Sequence, residues 1–319
     1  MLLIMNESCT RSATTDEDAL PLKLIAYSIS KSSVHFVGFA FTNDVEKELC
    51  VRFITLAASN MRTFLCKLEE NSDTMSVASK DFATDTPSDW LGATRLLDLE
   101  DSKLRLRVLR ITQLAQTDTQ KAVLIHDYVK SLPFGCVVGF DHISASRVLR
   151  NGKGDCHTKG TLFVAMLRSA GIPARLRFVT LPGDFLHGII DLGQSTITHA
   201  VGEVYLQSRW LQTDTYVTDS LLESQAVQRL ALEGRVLGCG IHARGNRFWN
   251  AQQDAHGQYV ASDPASLPSH DWGVAHDPEY FYSHQSHPQL GMGWLTRGKW
   301  MLAARVVNRR VIGLRLKII

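Results

Sequence analysis

The sequence predicts an α+β fold on three observations. The clearest helical periodicity lies in one run from about residue 117 to residue 170. Strand-like alternation follows it, from residue 174 to residue 214. The two patterns do not interleave in the strand-then-helix rhythm that a parallel sheet requires.

Residues 1–20 are polar and expected to fray. Leu24–Ile29 and Val34–Phe41 read as strands, Glu46–Leu65 as an amphipathic helix, and Asn71–Ser88, rich in Ser, Thr and Asp, as a linker. Residues 1–84 are accordingly an N-terminal region without an assigned role. The signals sharpen after Trp90. Thr117 and Gln120 have the spacing of a capping box, in which hydroxyl and amide satisfy free N–H groups at a helix start. Ala122, Ile125, Val129 and Leu132 then recur at helical spacing until Pro133 stops the run. Val137–Asn151 reads as an irregular connection. Asp155 can cap the next helix, with Leu162, Ala165 and Met166 along one side, Gly171 at its C′ position and Pro173 beyond. Ala174–Thr180 alternates Leu176 and Phe178 against Arg175 and Arg177, as a strand does. Thr198–Leu206 and Arg209–Asp214 are two more strand-like runs broken at Gln207–Ser208. The last hundred residues hold loops and then two expected strands, Met301–Val307 and Val311–Ile319. Arg309, Arg310 and Arg315 would lie on their charged edge.

Composition excludes several function classes. The 319 residues suffice for one large core or two modest ones, and 45% hydrophobic with 21% charged residues is ordinary for a globular protein. A net charge of +2 exerts no general pull on nucleic acid or membrane surfaces. No apolar run approaches the roughly 18–20 residues of a membrane span. The opening MLLIM is too short for a signal segment, and Glu7, Asp16, Glu17 and Asp18 follow it, so a cytoplasmic location is expected. The six cysteines, Cys9, Cys50, Cys66, Cys136, Cys156 and Cys239, are scattered and form no CxxC pair, so reduced thiols are expected. His276, His284 and His287 gather near Asp277 but match no metal-ligand spacing.

One cysteine differs from the rest. Cys156 follows a capping aspartate in Gly152-Lys153-Gly154-Asp155-Cys156. A thiol at a helix start meets the positive end of the macrodipole and free backbone amides, both of which favour thiolate. Asp155 opposes this slightly unless its carboxylate is occupied by capping amides. Alone, Cys156 reads better as a buried helix-start residue.

The downstream hairpin adds a base and its partner. If Gln207–Ser208 is a two-residue turn, Leu206 pairs with Arg209 and Asp214 falls opposite Val201, two residues from His199. His199 and Asp214 then lie diagonally on one sheet face, about 7–8 Å between Cα atoms, where imidazole and carboxylate can meet. A three-residue turn would put them on opposite faces. Adjacent His157 points about 100° away from Cys156 on a helix and is expected at the rim of a cleft. Asp191 and Asp219 are the runners-up to Asp214.

These residues carry a resemblance. Gly154-Asp155-Cys156, Lys159 to Arg168 and Ala170-Gly171-Ile172-Pro173-Ala174-Arg175 resemble the nucleophile region of the transglutaminase-like superfamily. Thr198-His199-Ala200, Glu203-Val204-Tyr205-Leu206 and Trp210-Leu211-Gln212-Thr213-Asp214 resemble its His and Asp strands. The likeness covers roughly residues 85–220. It departs at Val201, where the family often has Trp, which alters one wall of the cleft, and at Thr215, where it often has Pro. The resemblance implies a papain-like fold, a nucleophile helix packed on an antiparallel sheet, with Cys156 as nucleophile, His199 as base then acid, and Asp214 as the orienting residue. Residues 85–225 would form this catalytic core and 226–319 an extension packing on it.

The reaction implied is thiol acyl transfer on an amide, by hydrolysis through a thioester, since water is at hand and nothing marks a site for a lysine donor. A true transglutaminase is the alternative enzyme, and a silent binding module that keeps the fold is the alternative of another class. The Cys156 amide is the expected oxyanion donor, with Gln113 or Tyr128 as the second. A protein or peptide substrate is the expected partner, with no nucleic acid, membrane, cofactor or metal, and nothing in the sequence sets an oligomeric state.

Overall fold

The structure is a computed structural model and describes residues 86–137, 142–190, 195–284 and 294–316, with two short strands at 27–29 and 34–36. The chain divides into two units, Met1–Lys80 and Asp81–Ile319. In the first, β1 (Tyr27–Ile29) pairs antiparallel with β2 (Val34–Phe36), inside the two runs expected as strands. The helix expected over Glu46–Leu65 and the linker up to residue 85 lie outside the described residues.

The second unit begins with a short 3-10 turn at Pro87–Leu91 and then runs through four helices before its sheet. Helix α1 (Ser102–Thr112) is capped by Asp101, whose carboxylate accepts from Lys103 and Leu104 N–H. Helix α2 (Asp118–Ser131) starts at Thr117 as expected, its hydroxyl accepting from Gln120 N–H at 3.2 Å. The Gln120 amide oxygen reaches Gln116 N–H rather than Thr117, so the box closes one residue early. Leu132 is extended at ψ 132°, the geometry Pro133 imposes on the residue before it.

Helix α3 (Ala145–Asn151) corrects the irregular connection expected there. It is only two turns long, and Asp98 holds its start by accepting from Ser146 N–H at 2.9 Å, a partner remote in sequence. Helix α4 (Cys156–Ser169) is buried from His157 to Arg168 on every side, not along one stripe. It ends in a Schellman motif: Gly171 has φ +80°, Gly171 N–H donates to Arg168 C=O and Ile172 N–H to Leu167 C=O.

The sheet is antiparallel throughout, in the order β5-β4-β3-β8, built from β3 (Ala174–Pro182), β4 (Thr196–Leu206), β5 (Arg209–Thr213) and β8 (His270–Ala275). One face packs on α4, while α1, α2 and α3 cover the helix from its other side. Gly202 permits the close approach, since a Cβ there would lie 2.8 Å from the Phe163 ring. On β3, Leu176 and Phe178 face the core as expected. Arg175 and Arg177 converge instead on Glu203, each at 2.6 Å, and Arg175 also lies against the Trp210 ring at 3.9 Å.

Beyond β5 come α5 (Ser220–Leu232), capped by Asp219, the small pair β6 (Leu237–Gly238) and β7 (Ile241–His242), then β8, α6 (Pro278–His284) and α7 (Trp294–Arg315). Helix α7 overturns the two C-terminal strands. Ala304, Val311 and Leu314 are buried and Val307 half-buried, whereas Val306 and Ile312 are 57% and 51% exposed, a helical period. The β-branched residues there raise strand propensity without setting the period. Nor does Arg315 lie on a charged edge. It binds the Asp219 carboxylate and the Phe134 carbonyl, and Asn308 exchanges two 2.9 Å hydrogen bonds with the backbone of Cys136. Among the described residues no helix is long and apolar enough to cross a membrane.

Candidate active site

Cys156 is the first residue of α4 and is half-buried. Asp155 Oδ1 accepts from the Thr158 amide at 3.0 Å and its hydroxyl at 2.9 Å, while Asp155 N–H donates back to that hydroxyl. The capping carboxylate is therefore engaged, by one amide and one hydroxyl, and its pull against a thiolate is reduced. The approach to the helix is stitched down as well: Gly154 N–H donates to Pro133 C=O and Gly135 N–H to Gly154 C=O. Cys136 is half-buried like Cys156, and Cys239 is buried, which pushes its thiol pKa up. Cys9, Cys50 and Cys66 lie outside the described residues.

The hairpin has the two-residue turn. Leu206 pairs with Arg209 and Gly202 with Thr213, and Gln207 and Ser208 both have positive φ, 51° and 63°, as a type I′ turn requires. That register brings His199 Nε2 to 3.1 Å from Asp214 Oδ2, with both residues wholly buried. The opposite nitrogen, His199 Nδ1, is buried and makes no hydrogen bond. With Nε2–H donated to the carboxylate, the neutral ring keeps its lone pair on Nδ1, as a general base needs.

A contact between neighbours fixes the start of α4 against this pair. His157, next to Cys156, places Nε2 3.2 Å from the carbonyl oxygen of Thr198, next to His199 on β4. His157 is thus not at a cleft rim. It is buried, reaches the Tyr282 hydroxyl at 3.1 Å and stacks on Phe178, because its side of α4 faces the sheet. The Tyr216 phenol lies near both functional groups: burial raises its pKa well above the usual range, and negative charge at Asp214 and Cys156 raises it further.

Asp214 has partners that sequence reasoning missed. Gly257 N–H donates to Oδ1 at 2.6 Å, and His256 Nδ1 lies 3.9 Å from Oδ2. Burial opposes ionisation of Asp214, but the His199 hydrogen bond, the neighbouring imidazoles and the Gly257 amide together hold its pKa below the ordinary value. A backbone amide leaves no side-chain signature, so Gly257 could not be found from residue types. His256 had one signal, an imidazole in a loop, shared with several others.

Thr215, in the position where the family often has Pro, accepts from or donates to His126 Nε2 at 2.8 Å and Thr213 Oγ1 at 2.9 Å, and its carbonyl takes a bond from Lys130. Val201 is wholly buried, so the expected change of a cleft wall there becomes a change in the core. Asp219 caps α5, Tyr128 lies under the Arg107 guanidinium, and Gln113 is exposed at the end of α1. Asp191 lies outside the described residues. His276 bonds the Asp89 carbonyl, and the His284 and His287 side chains lie outside the described residues. Among the described residues no cluster of three or more His, Cys, Asp or Glu side chains is arranged to hold a metal ion.

No curated protein matches the chain. Two solved structures are similar to it: a "putative cysteine protease" from Cytophaga hutchinsonii (20% identity, TM-score 0.32, 39% of each chain covered) and a "putative protease" from Parabacteroides distasonis (19% identity, TM-score 0.28, 40% of this chain and 26% of that one). The match thus spans well under half of either relative's length. The family model described as the transglutaminase-like superfamily matches residues 107–215, a span that holds Cys156, His199 and Asp214 but neither His256 nor Gly257. Residues 107–215 of this chain are a transglutaminase-like superfamily domain.

Proposed function

We propose that the protein is a thiol hydrolase of amide bonds in proteins or peptides, working through a thioester on Cys156. The observation that carries this reading is the buried His199–Asp214 pair, whose free Nδ1 is the nitrogen a thiol would need, beside a helix that starts with a cysteine. Transfer of the Cys156 proton to His199 Nδ1 gives a thiolate–imidazolium pair, favoured by the helix start on one side and Asp214 on the other. The thiolate attacks the amide carbonyl carbon, and negative charge develops on its oxygen. The Cys156 N–H, in the first helical turn where amides have no intrahelical carbonyl, is suited to receive it. The C–N bond breaks as His199 gives its proton to the leaving amine. Water then attacks the thioester, His199 takes the proton from it, and the acid product leaves with Cys156 restored as thiolate.

The test is incubation with a peptide library, followed by mass analysis of products and of the enzyme, with and without an added primary amine. New amino termini and an acyl adduct on Cys156 are expected, with product unchanged by the amine. Release that rises with the amine would turn the reading toward transfer, and turnover by folded Cys156→Ala protein would overturn it.

A further inference from the structure

Two imidazoles face one carboxylate in this site. His256 Nδ1 lies 3.9 Å from Asp214 Oδ2, the oxygen that already meets His199 Nε2 at 3.1 Å. That nitrogen of His256 is buried and makes no hydrogen bond, although the side chain as a whole is 20% exposed. Its ring stacks on Tyr259 at 4.4 Å, and the Tyr259 hydroxyl lies 3.5 Å from Nε2. Its backbone is clamped on both sides: His256 N–H donates to Asn246 Oδ1 and its carbonyl accepts from Asn246 N–H. The next amide is the Gly257 N–H that binds Asp214. A closure of about 1 Å would turn the 3.9 Å gap into a hydrogen bond.

We propose that His256 is a positioning residue that shares Asp214 with His199, so that charge on His256 sets how firmly Asp214 holds imidazolium on His199. The proposal rests on the triad reading given above and adds a control to it from outside the matched domain. The groups that bear on His256 are Asp214 at the end of β5, His199 of β4 behind it, and Tyr259 in its own loop. Tyr259 in turn feels Asp254, Asp271 of β8 and Arg177 of β3. While His256 is neutral, the charge of Asp214 is available to His199 alone. Once His256 is protonated, two cations share one carboxylate and repel each other. The exposed part of His256 gives solvent protons access to the sealed pair of His199 and Asp214.

The test uses the full chain carrying Cys156→Ala, which removes the thiol from the titration. Imidazole resonances are followed by NMR from about pH 5 to about pH 9. His256→Phe keeps the stack on Tyr259 without a charge, and His256→Asn keeps an N–H donor near the Nδ1 position without a titration. In both, the His199 midpoint should rise by about half a pH unit or more, and His199→Asn should raise the His256 midpoint in return. A His199 midpoint that is the same with and without His256, or a His256 that stays neutral down to pH 5, overturns the proposal. Alkylation of Cys156 by iodoacetamide, in chains that keep the cysteine, separates this failure from that of the triad. An unreactive Cys156 beside coupled histidines refutes the catalytic reading and leaves the shared carboxylate standing. A reactive Cys156 whose alkylation profile ignores His256 does the reverse.

Discussion

Asp214 and Lys159 are both wholly buried, both ionisable, and both tied to the loop that follows β5, yet their surroundings treat their charges in opposite ways. Asp214 meets two hydrogen-bond partners, the His199 imidazole and the Gly257 amide, with a second imidazole 3.9 Å away, and stays below its ordinary pKa despite burial. Lys159 meets the carbonyl oxygens of Leu132 and Val217 at 2.9 Å and of Lys130 at 3.5 Å. Burial drives its pKa well below the usual lysine value, with Asp219 and Glu223 pulling the other way and Lys130 adding to the fall. Carbonyl dipoles satisfy the hydrogen bonds of an ammonium but do not supply an opposite charge at contact. The comparison teaches that a buried ionisable group keeps its charge where a titratable partner shares it, and is otherwise a fastener between segments.

The comparison breaks most visibly in activity. Cys156→Ala should reduce amide hydrolysis to background, and Cys156→Ser nearly so, because its hydroxyl is hardly ionised. Asp214→Asn should cost roughly 10²–10⁴-fold, since the amide still accepts from Gly257 but no longer supports imidazolium. Effects within the unit should not add, so His199→Ala on top of Cys156→Ala should change nothing further. Circular dichroism and urea titration should show these proteins folded, with midpoints moved far less than rates. An Asp214→Asn protein that loses stability and activity in proportion would erase the contrast with Lys159.

At Lys159 the expected loss is in stability. Lys159→Met leaves three buried carbonyls without a donor and should cost about 2–4 kcal/mol in urea unfolding, partly offset by the ammonium no longer being desolvated. Rates per folded molecule should stay near those of the parent.

A pH series sharpens the same contrast. Asp214 has a folded pKa below its unfolded 3.8, so its contribution is complete above that value and is lost as pH falls through the depressed folded pKa. Lys159 also has a folded pKa below its unfolded value, 10.5, but here the unfolded chain binds the extra proton. Stability attributable to Lys159 should therefore rise as pH increases through the window below 10.5, and Lys159→Met should flatten that rise. Urea midpoints at a ladder of pH values measure both, and a rise that persists in Lys159→Met would assign it elsewhere.

The smallest effect is expected where no charge is involved. Asn308→Ala removes two neutral hydrogen bonds to the backbone of Cys136 and should cost about 1–2 kcal/mol, without a pH signature. A larger or pH-dependent loss would mean that the clamp carries more than its own bonds.

Much of the region from Thr117 to Asp214 was legible because its signals are local. The Thr117 and Asp155 caps, the Gly171 stop and the Gln207–Ser208 turn are each decided by residues a few positions apart, and the turn alone set the register that joins His199 to Asp214. What escaped depends on remote partners. Helix α3 is two turns held by Asp98, and α7 has its apolar period hidden among Val and Ile residues that also suit strands. His157 was misplaced because spacing on a helix says where a side chain points but not what covers that side. Gly257 enters the site through an amide that any residue but proline could offer.

That last contact sets what can be inherited or transplanted as a piece. The matched domain ends at residue 215, but the peptide that grips its aspartate, the strand beside β3 and the arginine that anchors Asp219 are all supplied later in the chain. A segment cut at the family boundary would carry Cys156, His199 and Asp214 into a host without the amide that binds Asp214. Grafts, truncations and chimaeras of this protein should therefore be drawn around the unit Asp81–Ile319, because the span that sequence similarity outlines is shorter than the span that supplies the contacts of Asp214.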